Sequence, residues 1–208
     1  MCPAKTKARP GRPVLQQAAN ARDAIVTAAC LHFSHHGIKG SSNRLIAAEA
    51  GVTAAMIHYY FPKRPDLYQA VLAAGFSALL EQMAAIDSLE TWSRTFHTHL
   101  RTTPWLPHLM IREVLNPSGQ LRSRFLKHFA PKIFGHLRVL VGDTAKTNKL
   151  PKSFDVDRHV VLLMGLLVYP FLSLDLAQAL TGKTFDTRML EGFRDDAMHM
   201  FMHALACR

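Results

Sequence analysis

The chain has 208 residues, 49% of them hydrophobic and 19% charged, with a net charge of +10. These proportions fit a globular chain of one large domain or two smaller ones, and they exclude a disordered protein. The basic excess points to a polyanionic partner, either nucleic acid or an anionic membrane. Cys2, Cys30 and Cys207 lie far apart, which argues against a zinc finger or a disulfide framework and suits a reducing cytoplasm.

The charge is uneven along the chain. No acid precedes Asp23, and up to residue 70 nine basic residues stand against three acids, Asp23, Glu49 and Asp66. Residues 1–15 are expected to be a flexible basic arm, because Pro3, Pro10, Gly11 and Pro13 oppose a regular helix. No apolar segment follows this start, so no signal peptide is expected. A helix is expected over 16–36, where Ile25, Ala28, Ala29 and Phe33 recur at helical spacing and Gly37 is a stop. Ser42 can cap a short helix over 43–50, which Gly51 ends, and Thr53 can cap another over 54–60, which Pro62 ends. Pro65 sits near the start of a longer helix carrying Leu67, Tyr68, Val71, Leu72, Phe76, Leu79 and Leu80.

Only helices are expected beyond this point. One covers 88–101, and a short or broken one covers 104–115. An amphipathic helix over 118–141 turns Leu121, Phe125, Leu126, Phe129, Ile133, Phe134 and Leu137 inward. Residues 143–153 read as a polar loop, 155–180 as a strongly apolar helix, and 186–206 as a last helix after Gly182. The longest apolar run, 160–174, is shorter than the roughly 20 residues of a membrane span, so no membrane partner is expected. No strand pattern is present, and the expected fold class is all-α.

Two short helices joined by the turn Gly51-Val52-Thr53 form a helix-turn-helix candidate, whose second helix can offer side chains to base edges in the major groove. The stretch from Arg22 to Leu67 resembles the DNA-binding domain of TetR-type regulators. The residues that carry the resemblance are Arg22, Ile25, Ala28, Phe33 and Gly37, then Ser41-Ser42, then Ile46-Ala47-Ala48-Glu49-Ala50-Gly51-Val52-Thr53. They continue as Ala54-Ala55-Met56-Ile57-His58-Tyr59-Tyr60-Phe61, Arg64 and Leu67. Order and spacing are kept without insertion. The chain departs from the family pattern at Asn43, where an apolar residue is common, and at Leu45, where a charged one is. It departs again at His58, where many members have Tyr, and at Arg64, in place of the more usual Lys.

The resemblance implies an all-α protein with a three-helix DNA-binding domain at 16–62 and a helical effector-binding and dimerisation domain at 63–208. It implies a cytoplasmic, non-enzymatic regulator, by family default a repressor. Such a regulator binds a palindromic operator as a homodimer and is released by a small-molecule effector. Thr53, Ala54, Ala55 and Met56 would open the recognition helix, where small apolar side chains would contact thymine methyls or let the backbone close in. His58 and Tyr59 would face backbone or base edges, Lys63 and Arg64 would hold phosphates, and Ser42 and Arg44 would add contacts from the first short helix. In the arm, Arg9-Pro10-Gly11-Arg12-Pro13 resembles a minor-groove Arg-Gly-Arg-Pro strip with Pro10 inserted. Attraction of Arg9 and Arg12 to phosphates is expected over insertion into the groove.

The apolar helix over 155–180 carries Val160, Val161, Leu162, Leu163, Leu166, Leu167, Phe171 and Leu172. One chain of this size can bury one such helix, and an all-round apolar helix paired with an amphipathic last helix suggests a four-helix dimer seam. Phe96, Trp105, His108, Phe125, Phe129, Met164 and Phe171 are candidate lining for an apolar or aromatic effector, although such a stripe is more often plain core. His199 and His203, with Cys207 four residues on, have the spacing of helical metal ligands. No acid or further cysteine completes a set, and neither metal nor cofactor is expected. The chain shows no nucleophile elbow, phosphate loop or HExxH, so it is not read as an enzyme. The alternative reading is an architectural DNA-binding protein without an effector, against which the long apolar C-terminal part argues.

Overall fold

The computed structural model describes the backbone of residues 13–206 and the side chains of residues 20–205. Its described residues contain helices and turns and no strand, as the patterning requires. The contacts divide the chain between Val71 and Leu72.

The first unit holds α1 (Pro13–His36), α2 (Asn43–Glu49), α3 (Ala54–Tyr60) and the start of α4 (Arg64–Met83). α1 begins three residues earlier than expected, at Pro13. A proline opposes the middle of a helix but suits its first position, where no amide bond is lost and φ is already helical. Ile25, Ala28, Ala29 and Phe33 of α1 are buried. So are Ile46 and Ala47 of α2, Ile57 of α3, and Phe61, Leu67 and Val71 beyond it. Leu67 and Tyr68 belong with this unit because α4 starts against α1: the Tyr68 ring stands edge-on to Phe33, 5.9 Å between centroids.

The second unit holds the rest of α4, α5 (Leu89–Thr102), α6 (Trp105–Met110), α7 (Arg122–His128), α8 (Ala130–Thr147), α9 (Val156–Leu172), α10 (Leu174–Thr181) and α11 (Thr187–Ala206). α5 is central. It buries Leu89, Trp92, Ser93, Phe96, His97 and Leu100 and packs against α8, α9 and α11. Ser88 caps it, accepting the Thr91 N–H at 3.2 Å. α6 runs into a π-helical turn over Ile111–Leu115. Gly119 folds back so closely on this turn that a Cβ there would lie 2.3 Å from the Glu113 carbonyl oxygen, so no other residue fits.

Several boundaries differ from the sequence reading. The helix expected over 118–141 is two helices. It starts at Arg122 and breaks at Phe129, ahead of Pro131 near the N-terminus of α8. Pro131 has no N–H to give the Lys127 carbonyl and its ring crowds that carbonyl, so the ladder of α7 cannot run on into α8. Leu126, expected inside, is exposed, since α7 buries Phe125 and the next residue points away from that face. α8 continues to Thr147 through residues expected in a loop, since Ala145 is buried and the Thr144 hydroxyl donates to the Leu140 carbonyl at 2.8 Å. The long apolar helix is divided at Ser173, and α9 and α10 meet at 71°. Pro170 lacks the amide that would continue the ladder, and the Ser173 hydroxyl donates to the Tyr169 carbonyl at the corner. No single described helix is long and apolar enough to cross a membrane.

Candidate nucleic-acid interface

The turn between α2 and α3 is built by hydrogen bonds that only a left-handed residue permits. Gly51 has φ of 66°. Its N–H meets the Ala48 carbonyl at 3.3 Å, and the Val52 N–H meets the Ala47 carbonyl at 2.9 Å. This pair closes α2 in a Schellman motif and redirects the chain into α3. At the other end of α2, Ser42 caps as expected, its Oγ accepting the Leu45 N–H at 3.3 Å. Thr53 occupies the capping position of α3 without making a side-chain bond. The α3 end is held instead by burial of Ile57, which is 1% exposed.

Pinning α3 through Ile57 turns the rest of it outward. Thr53, Ala54, Ala55 and His58 are exposed, Met56 is half-buried, and Tyr59 is 78% exposed with its ring edge-on to Tyr60. Arg44 and Leu45 of α2 and Lys63 before α4 are exposed too. The Lys63 N–H donates to the Asp66 carboxylate at 3.1 Å, so that acid serves the start of α4. Ser42 is exposed as well. Arg9 and Arg12 lie outside the described residues.

Arg64 is engaged within the protein. Its guanidinium lies over the Phe33 ring at 5.3 Å and the Tyr68 ring at 5.9 Å. It donates through Nη1 to Oδ1 of Asn43 and through Nη2 to the Ser41 carbonyl. The Nδ2 of Asn43 is in turn 3.5 Å from Nε2 of His58. α2, α3 and α4 are thereby joined by one polar chain. Reading residues one at a time does not reveal it, though all three side chains stand where the sequence departs from the TetR pattern.

The predicted effector residues fall into separate contacts. Phe125 and Phe129 converge on Phe76, with ring centroids 5.2 and 5.5 Å away. Trp105 is half-buried and lies over Gly75, where an added Cβ would be 3.2 Å from it. Phe96 stacks on Trp92 and Phe171 stands edge-on to His97. Met164 is half-buried, and His108 is exposed with Nδ1 3.3 Å from the Pro104 carbonyl oxygen. Two buried polar atoms here, Trp92 Nε1 and His97 Nε2, have no hydrogen-bond partner among the described residues. Sequence reasoning passed over both, although their inward places on the apolar stripe of α5 are legible. His199 and His203 have ring centroids 6.2 Å apart on the outer face of α11. Cys207 lies outside the described residues, among which no group of three or more metal-type ligands occurs.

Residues 25–71 match the family described as bacterial regulatory proteins of the tetR family. Residues 85–206, more than half of the chain, match the C-terminal domain of the HTH-type transcriptional dual regulator CecR. The chain belongs to the TetR family of transcription regulators. Solved structures share this fold. A fatty acid metabolism regulator of Clostridium perfringens aligns with a TM-score of 0.69 at 16% identity, over 86% of this chain and 97% of its own. The fatty acid degradation regulator FadR from Bacillus halodurans gives 0.68 at 16%, over 98% and 100%. A linker-substituted variant of HlyIIR gives 0.68 at 21%, over 92% and 98%. A comparison with curated protein sequences gives no match. As a TetR-type regulator the chain has an N-terminal helix-turn-helix and a helical C-terminal domain.

Proposed function

We propose that this TetR-type chain is a ligand-responsive repressor that binds a near-palindromic operator as a homodimer and leaves it when a small molecule binds the C-terminal domain. The observation that carries the DNA-binding half is the outward face of α3. Ile57 is buried beneath it, while Ala54, Ala55, His58 and Tyr59 stand exposed among the cations Arg44 and Lys63. Thr53, Ala54, Ala55, Met56, His58 and Tyr59 are the groove-facing set, with Ser42, Arg44 and Lys63 on phosphates. Arg9 and Arg12 add charge from the arm, and Arg64 acts through Asn43. The arm, the helix-turn-helix and the helical remainder divide these tasks, in the cytoplasm and without enzymatic chemistry.

The dimer is supported by α9, which leaves Val161, Leu162, Leu166 and Tyr169 exposed along one face. It packs beside α11, which exposes Phe193 and Met200. Paired across a twofold axis these faces would form a four-helix seam. An apolar effector is supported by the aromatic interior around Phe76 and by the names of two similar structures, which describe them as regulators of fatty acid metabolism and fatty acid degradation. Phe96, Trp105, His108, Phe125, Phe129, Met164 and Phe171 remain its candidate lining.

The test is binding to the DNA upstream of the protein's own gene, with excess nonspecific competitor at two salt concentrations. A discrete complex that footprints a palindrome is expected, and Tyr59→Ala should weaken it by about tenfold without altering the melting temperature. Binding that competitor abolishes would favour the architectural alternative.

A further inference from the structure

The polar chain through α2, α3 and α4 fixes more than the packing of three helices. A guanidinium has only donors, so the Asn43 atom that meets Arg64 must be the carbonyl oxygen. That assignment leaves the amide nitrogen of Asn43 facing Nε2 of His58 at 3.5 Å. An amide nitrogen can only donate, so Nε2 must offer its lone pair, and the ring proton then resides on Nδ1. No residue among those described accepts from Nδ1, and His58 is exposed on α3. Arg64 is itself held by two aromatic faces and the Ser41 carbonyl, so the chain is anchored at its inner end and open at its outer one.

We infer that His58 meets the operator as a donor through Nδ1, pairing with an acceptor atom of the DNA, and that Asn43 and Arg64 are the positioning residues that select this tautomer. The inference rests on the reading of α3 as the DNA-facing helix. The acceptor is a base edge in the major groove (guanine O6 or N7, adenine N7, thymine O4) or a phosphate oxygen. Cytosine N4 and adenine N6 carry hydrogens and offer nothing to an Nδ1–H group, so a base-edge contact discriminates. Asn43 and Arg64 then influence binding without touching DNA, because the second group in a histidine's environment decides which nitrogen carries the proton.

The tautomer is measured first, without DNA, from long-range proton–nitrogen spectra of the imidazoles in the 15N-labelled full chain at about pH 8. His58 is assigned by the signals that vanish in His58→Ala. Wild type should show a protonated Nδ1 and an unprotonated Nε2. Asn43→Leu should lose that signature while keeping its helical content, and Arg64→Lys, which can still donate to Asn43, should retain it. Wild type carrying the proton on Nε2, or a signature indifferent to Asn43→Leu, overturns the inference. Binding is then measured on duplexes that wild type selects from a randomised pool. His58→Ala and Asn43→Leu should each lose about tenfold in affinity. A loss confined to duplexes with one particular base pair identifies a base edge, and an equal loss on all of them identifies phosphate. Affinity unchanged in His58→Ala overturns the inference. A pool from which wild type selects nothing overturns the DNA-facing reading of α3, a failure that the free-protein spectra keep distinct.

Discussion

At the scale of single residues, His97 carries a pH dependence into the core. It is 2% exposed and edge-on to Phe171. Burial, and next the guanidinium groups of Arg194 and Arg101, push its pKa down from the ordinary 6.5 to about 4, against a smaller opposing effect of Asp195. The folded chain therefore holds His97 neutral, while the unfolded chain protonates it below 6.5. Unfolding takes up a proton in that range, so stability falls as pH drops from 6.5 towards 4. Between pH 7.5 and 5 this one residue should remove about 2 kcal/mol. Denaturant titrations at the two pH values should find that part of the loss missing in His97→Leu. Equal losses in both proteins would place the acid sensitivity elsewhere. The polar chain belongs to the same scale. Asn43, His58 and Arg64 read in the sequence as three separate departures, 15 and 21 positions apart, and only folding makes them neighbours.

At the scale of helices, local chemistry marked where elements begin more surely than where they break. Ser42, Ser88 and Asp155 each accept an amide of the first turn, as their types and places suggest. Apolar periodicity continues across the divisions at Phe129 and Ser173 and hides them, although Pro131 and Pro170 stand close by in the sequence. The division at Ser173 ends α9 with one face still uncovered, and Val161, Leu162, Leu166 and Tyr169 repeat along it at helical spacing. If that face is the dimer seam, the double variant Leu162→Glu, Leu166→Glu should keep its helical content and weaken self-association by about a hundredfold, since charges buried without partners cost that much or more. Sedimentation across a concentration series reads the change. An unaltered sedimentation profile would move the seam to another face.

At the scale of the whole molecule, the basic N-terminal third should make DNA binding steeply dependent on salt. Residues 1–13 contribute Lys5, Lys7, Arg9 and Arg12. Deleting them should lower affinity and flatten the plot of log affinity against log salt by about one for each cation that meets a phosphate. An unchanged slope would remove the arm from the interface. The family models divide the chain in the same sense as its contacts, one match ending at residue 71 and the other beginning at 85.

The sequence by itself determined the all-helical class, the three helices of the DNA-binding unit and the family. Those rest on short-range rules: helical spacing of apolar residues, caps, and a glycine at a left-handed turn. The tertiary structure decided what depends on contacts between distant positions. Arg64 turns inward because Phe33, Tyr68, Asn43 and Ser41 surround it, and His97 is neutral because α9 and α11 close over α5. A side chain's spacing tells which way it points along its own helix. Its charge state and its hydrogen-bond partners belong to the helices packed against it.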